Sequence, residues 1–229
     1  MTNRVIFITG ASGGLGATVT ETFLATGATV IGASRRVTAE EFPAANFVAL
    51  PTDFTQPQAV RAAVDSIIAR FGRLDALVHV LGGFAGGKSI ADTDDATWQQ
   101  MQTLNFNAAF WTLRETIPHL RKSGAGRIVV VGSLSAVEPH AGLGAYVTSK
   151  MALAALVRTA ALENADAGVT ANIVLPGTMD TPSNRKAMPS ADPAKWVQPA
   201  EVAKVLLWLA SKQAASVNGA SIPIPGKGA

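Results

Sequence analysis

The opening of the chain most narrows what it can fold into. Val5 to Ile8 is a short apolar run, and Thr9-Gly10-Ala11-Ser12-Gly13-Gly14-Leu15-Gly16 follows it directly. A helical pattern then continues through Phe23 and Leu24. Strand, glycine-rich turn and helix in that order leave few architectures open. Gly10 permits the tight turn, Gly14 lets a pyrophosphate approach the backbone, and Gly16 lets the helix pack closely on a sheet. The helix would offer an anion its free N–H groups and the positive end of its dipole.

The same alternation continues along the chain. Gly27 ends the first helix, and Thr29 to Ala33 is a second strand. Asn46 to Leu50 is a third strand, ending in Pro51-Thr52-Asp53-Phe54. Pro57 to Phe71 is predicted helical, with Val60, Val64, Ile67, Ile68 and Phe71 as its apolar stripe. Leu74 to Leu81 is a fourth strand, and Gly82-Gly83 and Gly86-Gly87 follow it. A long helix from Asp94 to about Leu120 contains Asn105, with Thr93 or Asp94 as N-cap and Pro118 kinking or ending its last turns. Ile128 to Val131 is a fifth strand, Tyr146 to about Asn164 a helix, and Val169 to Leu175 a sixth strand. Residues 179–198 carry three prolines and no clear periodicity, and read as a substrate loop or lid. Pro199 to Lys212 is a final helix and Ala220 to Ile224 a last strand. Strands alternating with helices predict an α/β fold, a doubly wound parallel sheet of about seven strands with helices on both faces. No linker or internal repeat interrupts it, so 1–229 reads as a single domain.

Composition supports this and removes other classes. Hydrophobic residues make up 48% and charged residues 15%, which fits much buried sheet. The net charge is +3, and the basic residues are scattered with no run longer than a pair such as Arg35-Arg36 or Arg121-Lys122, so no nucleic-acid partner is expected. There is no cysteine, and His79, His119 and His140 show no metal-ligand spacing; no metal is expected. No signal-peptide pattern and no membrane-spanning apolar run is seen, so the expectation is a soluble cytoplasmic protein acting on a small molecule.

Ser34-Arg35-Arg36 ends the second strand, and neither Asp nor Glu occurs between Ala28 and Thr38. A site for NAD usually places a carboxylate here for the ribose 2′-hydroxyl. A guanidinium fork suits a 2′-phosphate instead, which predicts NADP(H) over NAD(H). The alternative is a solvated basic turn. Asp53, at the end of the third strand, is placed to accept from an adenine amino group.

Arg127 to Lys150 carries the chemistry. Gly132 ends the fifth strand, Ser133 follows, and a loop leads to Tyr146, the only tyrosine, with Lys150 four residues on. At that spacing the two side chains share one helix face. An ammonium favours the phenolate and lowers a tyrosine pKa from about 10. Ser133 could steady a substrate oxygen, so the trio makes a proton donor and an anion stabiliser. Alone, the Tyr-x-x-x-Lys pair is better read as a tyrosine packed at a helix start and a solvated lysine; the rest of the chain reverses that balance.

Thr9-Gly10-x-x-x-Gly14-x-Gly16, Asp53, Asn105, Ser133, Tyr146-x-x-x-Lys150 and Pro176-Gly177-x-x-x-Thr181 together resemble the short-chain dehydrogenase/reductase family over nearly the whole chain. The resemblance implies a Rossmann fold and hydride transfer between a nicotinamide and a carbonyl or alcohol. It implies Tyr146 as acid/base, Lys150 on the cofactor ribose, Ser133 on the substrate, Asn105 holding a proton-relay water and Thr181 on the nicotinamide carboxamide. The implied cofactor cradle comprises Gly10, Ser12, Gly13, Gly14, Leu15, Gly16, Ser34, Arg35, Arg36, Asp53, Phe54, Leu81, Gly82, Tyr146, Lys150, Pro176, Gly177, Thr178 and Thr181.

One stretch departs from the family pattern. His79-Val80-Leu81-Gly82 replaces Asn-Asn-Ala-Gly, removing side chains that brace the sheet. Two loops, 82–87 and 175–189, resemble those of dihydropteridine reductases, which leaves quinonoid pterin reduction as an alternative. A non-catalytic dinucleotide sensor or scaffold is a second. Phe106, Phe110 and Trp111, with Met151, Leu153, Leu156 and Val157, put apolar residues on more than one face of two helices. One face would pack on the sheet and the other pair with a second subunit, giving a homodimer or homotetramer.

Overall fold

The computed structural model describes residues 1–227; the last two of the expected 1–229 domain, 228–229, lie outside the described residues. Among the described residues, seven strands form one sheet: β1 (Val5–Thr9), β2 (Thr29–Ser34), β3 (Phe47–Pro51), β4 (Ala76–His79), β5 (Arg127–Val131), β6 (Thr170–Pro176) and β7 (Ser221–Ile224). Their order is β3-β2-β1-β4-β5-β6-β7, and every pairing is parallel. The helices are α1 (Gly14–Leu24), α2 (Pro57–Phe71), α3 (Asp95–Gln102), α4 (Ala108–Lys122), α5 (Gly144–Glu163), α6 (Pro182–Ala187) and α7 (Pro199–Leu209).

The apolar runs explain the two layers. Successive strand residues point to opposite faces, so a strand covered on both must be apolar throughout. In β1, Val5 and Phe7 enter one core and Ile6 and Ile8 the other. The first core takes Val60, Val64 and Ile67 of α2, Leu113 and Leu120 of α4, and Leu153 and Val157 of α5. The second takes Leu15, Val19 and Phe23 of α1 and Val202, Leu206 and Leu209 of α7. Phe7 is fully buried, and cutting such a ring to Ala costs about 3–5 kcal/mol. That is a large part of the roughly 5–15 kcal/mol that holds a domain folded.

This topology fixes where a ligand can bind. From β1 the strand order runs outward to β2 and β3; from β4 it runs the other way. The chain therefore leaves the carboxyl ends of β1 and β4 in opposite directions, which opens a crevice there.

Four expectations are corrected. The helix expected from Asp94 to Leu120 is α3 and α4 joined by a π-helical turn, Thr103–Asn107, and Asn105 sits in that turn. Such single-turn insertions occur frequently at functional sites. Pro118 does not end α4, which continues to Lys122; Pro118 and Arg114 both lie on the exposed side, where a carbonyl without its partner meets water. Residues 179–198 are not structureless. Met179 pairs with Val197, Thr181 caps α6, and a 3-10 turn spans Pro193–Lys195. The fourth strand also stops at His79, not Leu81.

Candidate active site

The glycine turn sits at the crevice. Gly10 has φ +72°, and a Cβ there would lie 2.9 Å from the Leu81 backbone. Only glycine suits that conformation and that approach. A Cβ on Gly16 would collide with the Gly10 carbonyl, so Gly16 sets how closely α1 meets the turn. The N-cap of α1 is Gly13, no side chain caps the helix, and no acidic residue lies in its first turn. The donors at this end are left for an anion, as a diphosphate requires. Ser12 and Ser34 join across the turn through their hydroxyls at 2.6 Å.

Arg35 and Arg36 are exposed at the rim, beside Ser34. Asp53 accepts from the Thr55 amide at 3.0 Å and the Thr55 hydroxyl at 2.7 Å. These bonds hold its carboxyl below its ordinary value, and the charge of Arg35 adds to the effect. The sequence placed no carboxylate near a 2′-phosphate; the fold brings Asp53 from β3 within the field of Arg35. Phe54 packs its ring near Phe7, with centroids 6.4 Å apart. Leu81, Gly82, Pro176, Gly177, Thr178 and Thr181 line the same cleft. Thr181 is buried, with its methyl against Gly14.

Ser133, Tyr146 and Lys150 line the same cleft. Tyr146 lies in the first turn of α5 and Lys150 one turn on. The Ser133 hydroxyl accepts from the Ser135 amide at 3.2 Å and lies near enough to the phenol to favour its anion. Lys150 is buried, and its Nζ donates to the Val131 carbonyl at 3.2 Å. Burial brings the Lys150 ammonium down from 10.5 to about 8. Burial also pushes the Tyr146 phenol above its ordinary value, while the Ser133 hydroxyl pulls the other way. The sequence led to the expectation that Lys150 lowers the tyrosine; here burial dominates, because half-buried Tyr146 loses solvation that its anion needs.

Asn105 is fully buried. Its Oδ1 accepts from the Gly83 amide at 2.8 Å, and its Nδ2 donates to the Gly83 carbonyl at 3.0 Å and to Ser149 Oγ at 3.1 Å. The amide is thus committed to holding the loop after β4, and the implied role at a relay water rests on the remaining Oδ1 lone pair.

The expected loss of bracing at His79 is not what the fold shows. His79 is fully buried, and its Nδ1 pairs with Thr9 Oγ1 at 2.9 Å. The same Thr9 oxygen lies 3.4 Å from the Leu81 amide. The imidazole therefore ties β1 to β4 where an asparagine was anticipated, although its Nε2 has no partner.

All the anticipated cofactor and catalytic positions except Asn105 line one cleft of about 1430 Å³. Single-ligand sites occupy about 300–1,000 Å³, so there is room for a dinucleotide and a substrate side by side. Met188, Asp192, Lys195 and Trp196, on the segment 179–198 that the sequence marks as a substrate loop, line the same cleft. Sequence reading missed Glu138, His140 and Leu143, which precede α5 with no periodic signal, and saw Phe84 only as part of the glycine-rich loop 82–87.

Residues 4–192 match the model of the short chain dehydrogenase family. The chain is 31% identical to 2,3-dihydro-2,3-dihydroxybenzoate dehydrogenase of Escherichia coli (strain K12), over 96% of this chain and 95% of that protein. It is 31% identical to 2,5-dichloro-2,5-cyclohexadiene-1,4-diol dehydrogenase LinX of Sphingobium indicum, over 99% and 96%. A short-chain type dehydrogenase/reductase from Mycobacterium ulcerans superposes with TM-score 0.93 at 27% identity, over 99% of this chain and 90% of that one. The structure of ElxO with NADP bound superposes with TM-score 0.92 at 25% identity, over 99% and 98%. Sequence, fold and the two shared lengths agree, and the chain belongs to the short-chain dehydrogenase family of NAD(P)-dependent oxidoreductases.

Proposed function

We propose that this protein reduces a carbonyl substrate, or oxidises the corresponding alcohol, with NADP(H) preferred over NAD(H). The convergence of Ser133, Tyr146 and Lys150 in one cleft with an uncapped α1 carries this reading. The turn Gly10–Gly16 would hold the diphosphate, Asp53 the adenine, Arg35 and Arg36 a 2′-phosphate, Lys150 the ribose beside the nicotinamide, and Thr181 its carboxamide. When bound, the nicotinamide supplies or accepts the hydride.

The residues of the chain manage the proton. In reduction Tyr146 donates its phenolic proton to the substrate oxygen as that oxygen gains charge, and the Ser133 hydroxyl donates a hydrogen bond to the same atom. Burial keeps the resting phenol protonated, so the acid is ready before reduction begins. The Lys150 ammonium offsets the phenolate left behind. In alcohol oxidation the same groups run backwards. Asn105 fixes the floor of the site by clamping Gly83. Residues 179–198 form the substrate-side wall, and the 1–229 chain acts as one catalytic unit.

The matched relatives are dehydrogenases along nearly their full length, which does not favour the pterin or sensor readings. The protein also pairs with a second copy of itself. Phe110 of α4 and Met151 of α5 are 41% and 53% exposed, while Leu153 and Val157 of α5 are buried against the sheet. The helices thus keep an apolar outer side after their inner side is used. Cofactor oxidation on addition of a carbonyl compound tests the catalytic reading; an inert protein that binds cofactor but turns over no carbonyl or alcohol contradicts it.

A further inference from the structure

The cleft contains one aromatic side chain whose exposure the catalytic groups do not explain. Phe84 is 69% exposed, although a solvent-facing ring of this size forgoes burial that usually stabilises a fold by about 1.5–3 kcal/mol. Its ring meets Tyr146 edge-on, with centroids 5.0 Å apart and planes at 69°. In that arrangement much of the Phe84 ring remains open beside the proton donor.

The loop that carries Phe84 is fixed on both sides of it. Before it, Asn105 holds both backbone groups of Gly83, at 2.8 and 3.0 Å. After it, the Gly87 amide donates to the Gly142 carbonyl at 2.8 Å, tying the loop to the segment that leads into α5. Gly86 sits where a Cβ would run into Leu143 and press on the Phe84 ring. An exposed aromatic held between two anchors has little entropy left to lose on binding, which is what a preformed subsite needs. Leu143 meets the same glycine as the Phe84 ring, and Met188 and Trp196 add further apolar surface to the cleft.

We propose that Phe84 is the platform of a substrate subsite built for flat, ring-bearing ketones and their alcohols, which stack on the ring with the reacting oxygen toward Tyr146 and Ser133. The inference rests on the oxidoreductase reading of this cleft. It adds to that reading a substrate shape: a planar apolar ring next to the carbonyl, in preference to a linear chain of equal carbon number.

The test separates the two claims by reading binding apart from turnover. Acetophenone and 2-octanone, ketones of equal carbon number, are titrated by calorimetry into the protein saturated with NADP⁺, where no reduction can occur. The variants are Phe84→Leu, which keeps apolar bulk without an aromatic face, and Phe84→Trp, which restores one. Phe84 is exposed, so neither change removes core packing. An aromatic pair is worth about 0.5–1.5 kcal/mol, so Phe84→Leu should raise the Kd of acetophenone roughly 2- to 12-fold. The Kd of 2-octanone should stay within that lower bound, and Phe84→Trp should recover acetophenone binding. Equal weakening of both ketones, unchanged acetophenone binding in Phe84→Leu, or no acetophenone binding to the wild type overturns the platform. If Phe84-dependent binding is found but no carbonyl or alcohol is turned over with either cofactor, the platform stands and the catalytic reading falls.

Discussion

Asn105 grips the backbone of Gly83 by both of its polar groups, accepting from the amide at 2.8 Å and donating to the carbonyl at 3.0 Å. One buried side chain thereby joins the π-helical turn to the loop that borders Tyr146. Replacing Asn105 with Ala removes both bonds to the half-buried Gly83 backbone, and each lost hydrogen bond costs about 0.5–1.5 kcal/mol. The melting temperature should drop by at least about 2–4 °C, the shift that 1 kcal/mol gives a chain of this size. Substrate KM should rise as the loop loosens. Scanning calorimetry with steady-state kinetics measures both, and a variant unchanged in melting temperature and KM would show that the clamp carries little.

The proposed preference for NADP(H) is tested at Arg35. One charge-assisted contact is worth about 1.5–3 kcal/mol, so Arg35→Ala should weaken NADPH roughly 10- to 150-fold and leave NADH nearly unchanged. Asp53 lies in the field of Arg35, so wild-type discrimination should be clear without excluding NADH. Calorimetric titration of both cofactors into both proteins reads this. Equal affinities in the wild type, or equal weakening of both in the variant, would refute the assignment.

His79 gives the fold a pH dependence. Burial, helped by the Lys150 charge, brings its pKa from 6.5 down to about 3. Its folded pKa lies below its unfolded one, so the unfolded chain binds the extra proton between those values. Stability is therefore lost as pH falls from about 6.5 toward 3, by up to about 1.4 kcal/mol per pH unit from this residue. His79→Asn, which cannot titrate, should unfold in urea with a shallower pH dependence between about pH 4 and 6. The same slope in both proteins would mean that His79 is protonated in the folded state.

The sequence showed the parts whose signals are local. Buried parallel strands read as unbroken apolar runs, and α2 matched its stripe from Pro57 to Phe71. The glycine turn was legible because each glycine answers a local steric demand, and Tyr146 with Lys150 because helical spacing puts them together. What could not be read depends on distant partners. The π-helical turn at Asn105 leaves no break in helical periodicity, and its reason is Gly83, on another segment. The proximity of Asp53 to Arg35 arises from neighbouring strands, and the burial that outweighs Lys150 at Tyr146 is a property of the whole cleft. Phe84 looked like a loop residue until the fold set its ring against the only tyrosine.

Assembly is tested by changing the outer sides of α4 and α5. Phe110 and Met151 are 41% and 53% exposed, so Phe110→Glu combined with Met151→Glu should leave the fold intact and shift sedimentation toward a 23.6 kDa monomer. A wild type that sediments only at that mass at micromolar concentration would rule the pairing out.

The central claim is that Tyr146 exchanges a proton with the substrate oxygen, and Tyr146→Phe tests it most directly because only the hydroxyl is removed. Turnover is followed as cofactor oxidation with a ketone that the wild type accepts, and NADPH affinity is measured on the same samples. The account predicts retained folding and cofactor binding with turnover lower by roughly 10²-fold or more. Near-wild-type turnover in Tyr146→Phe would contradict it.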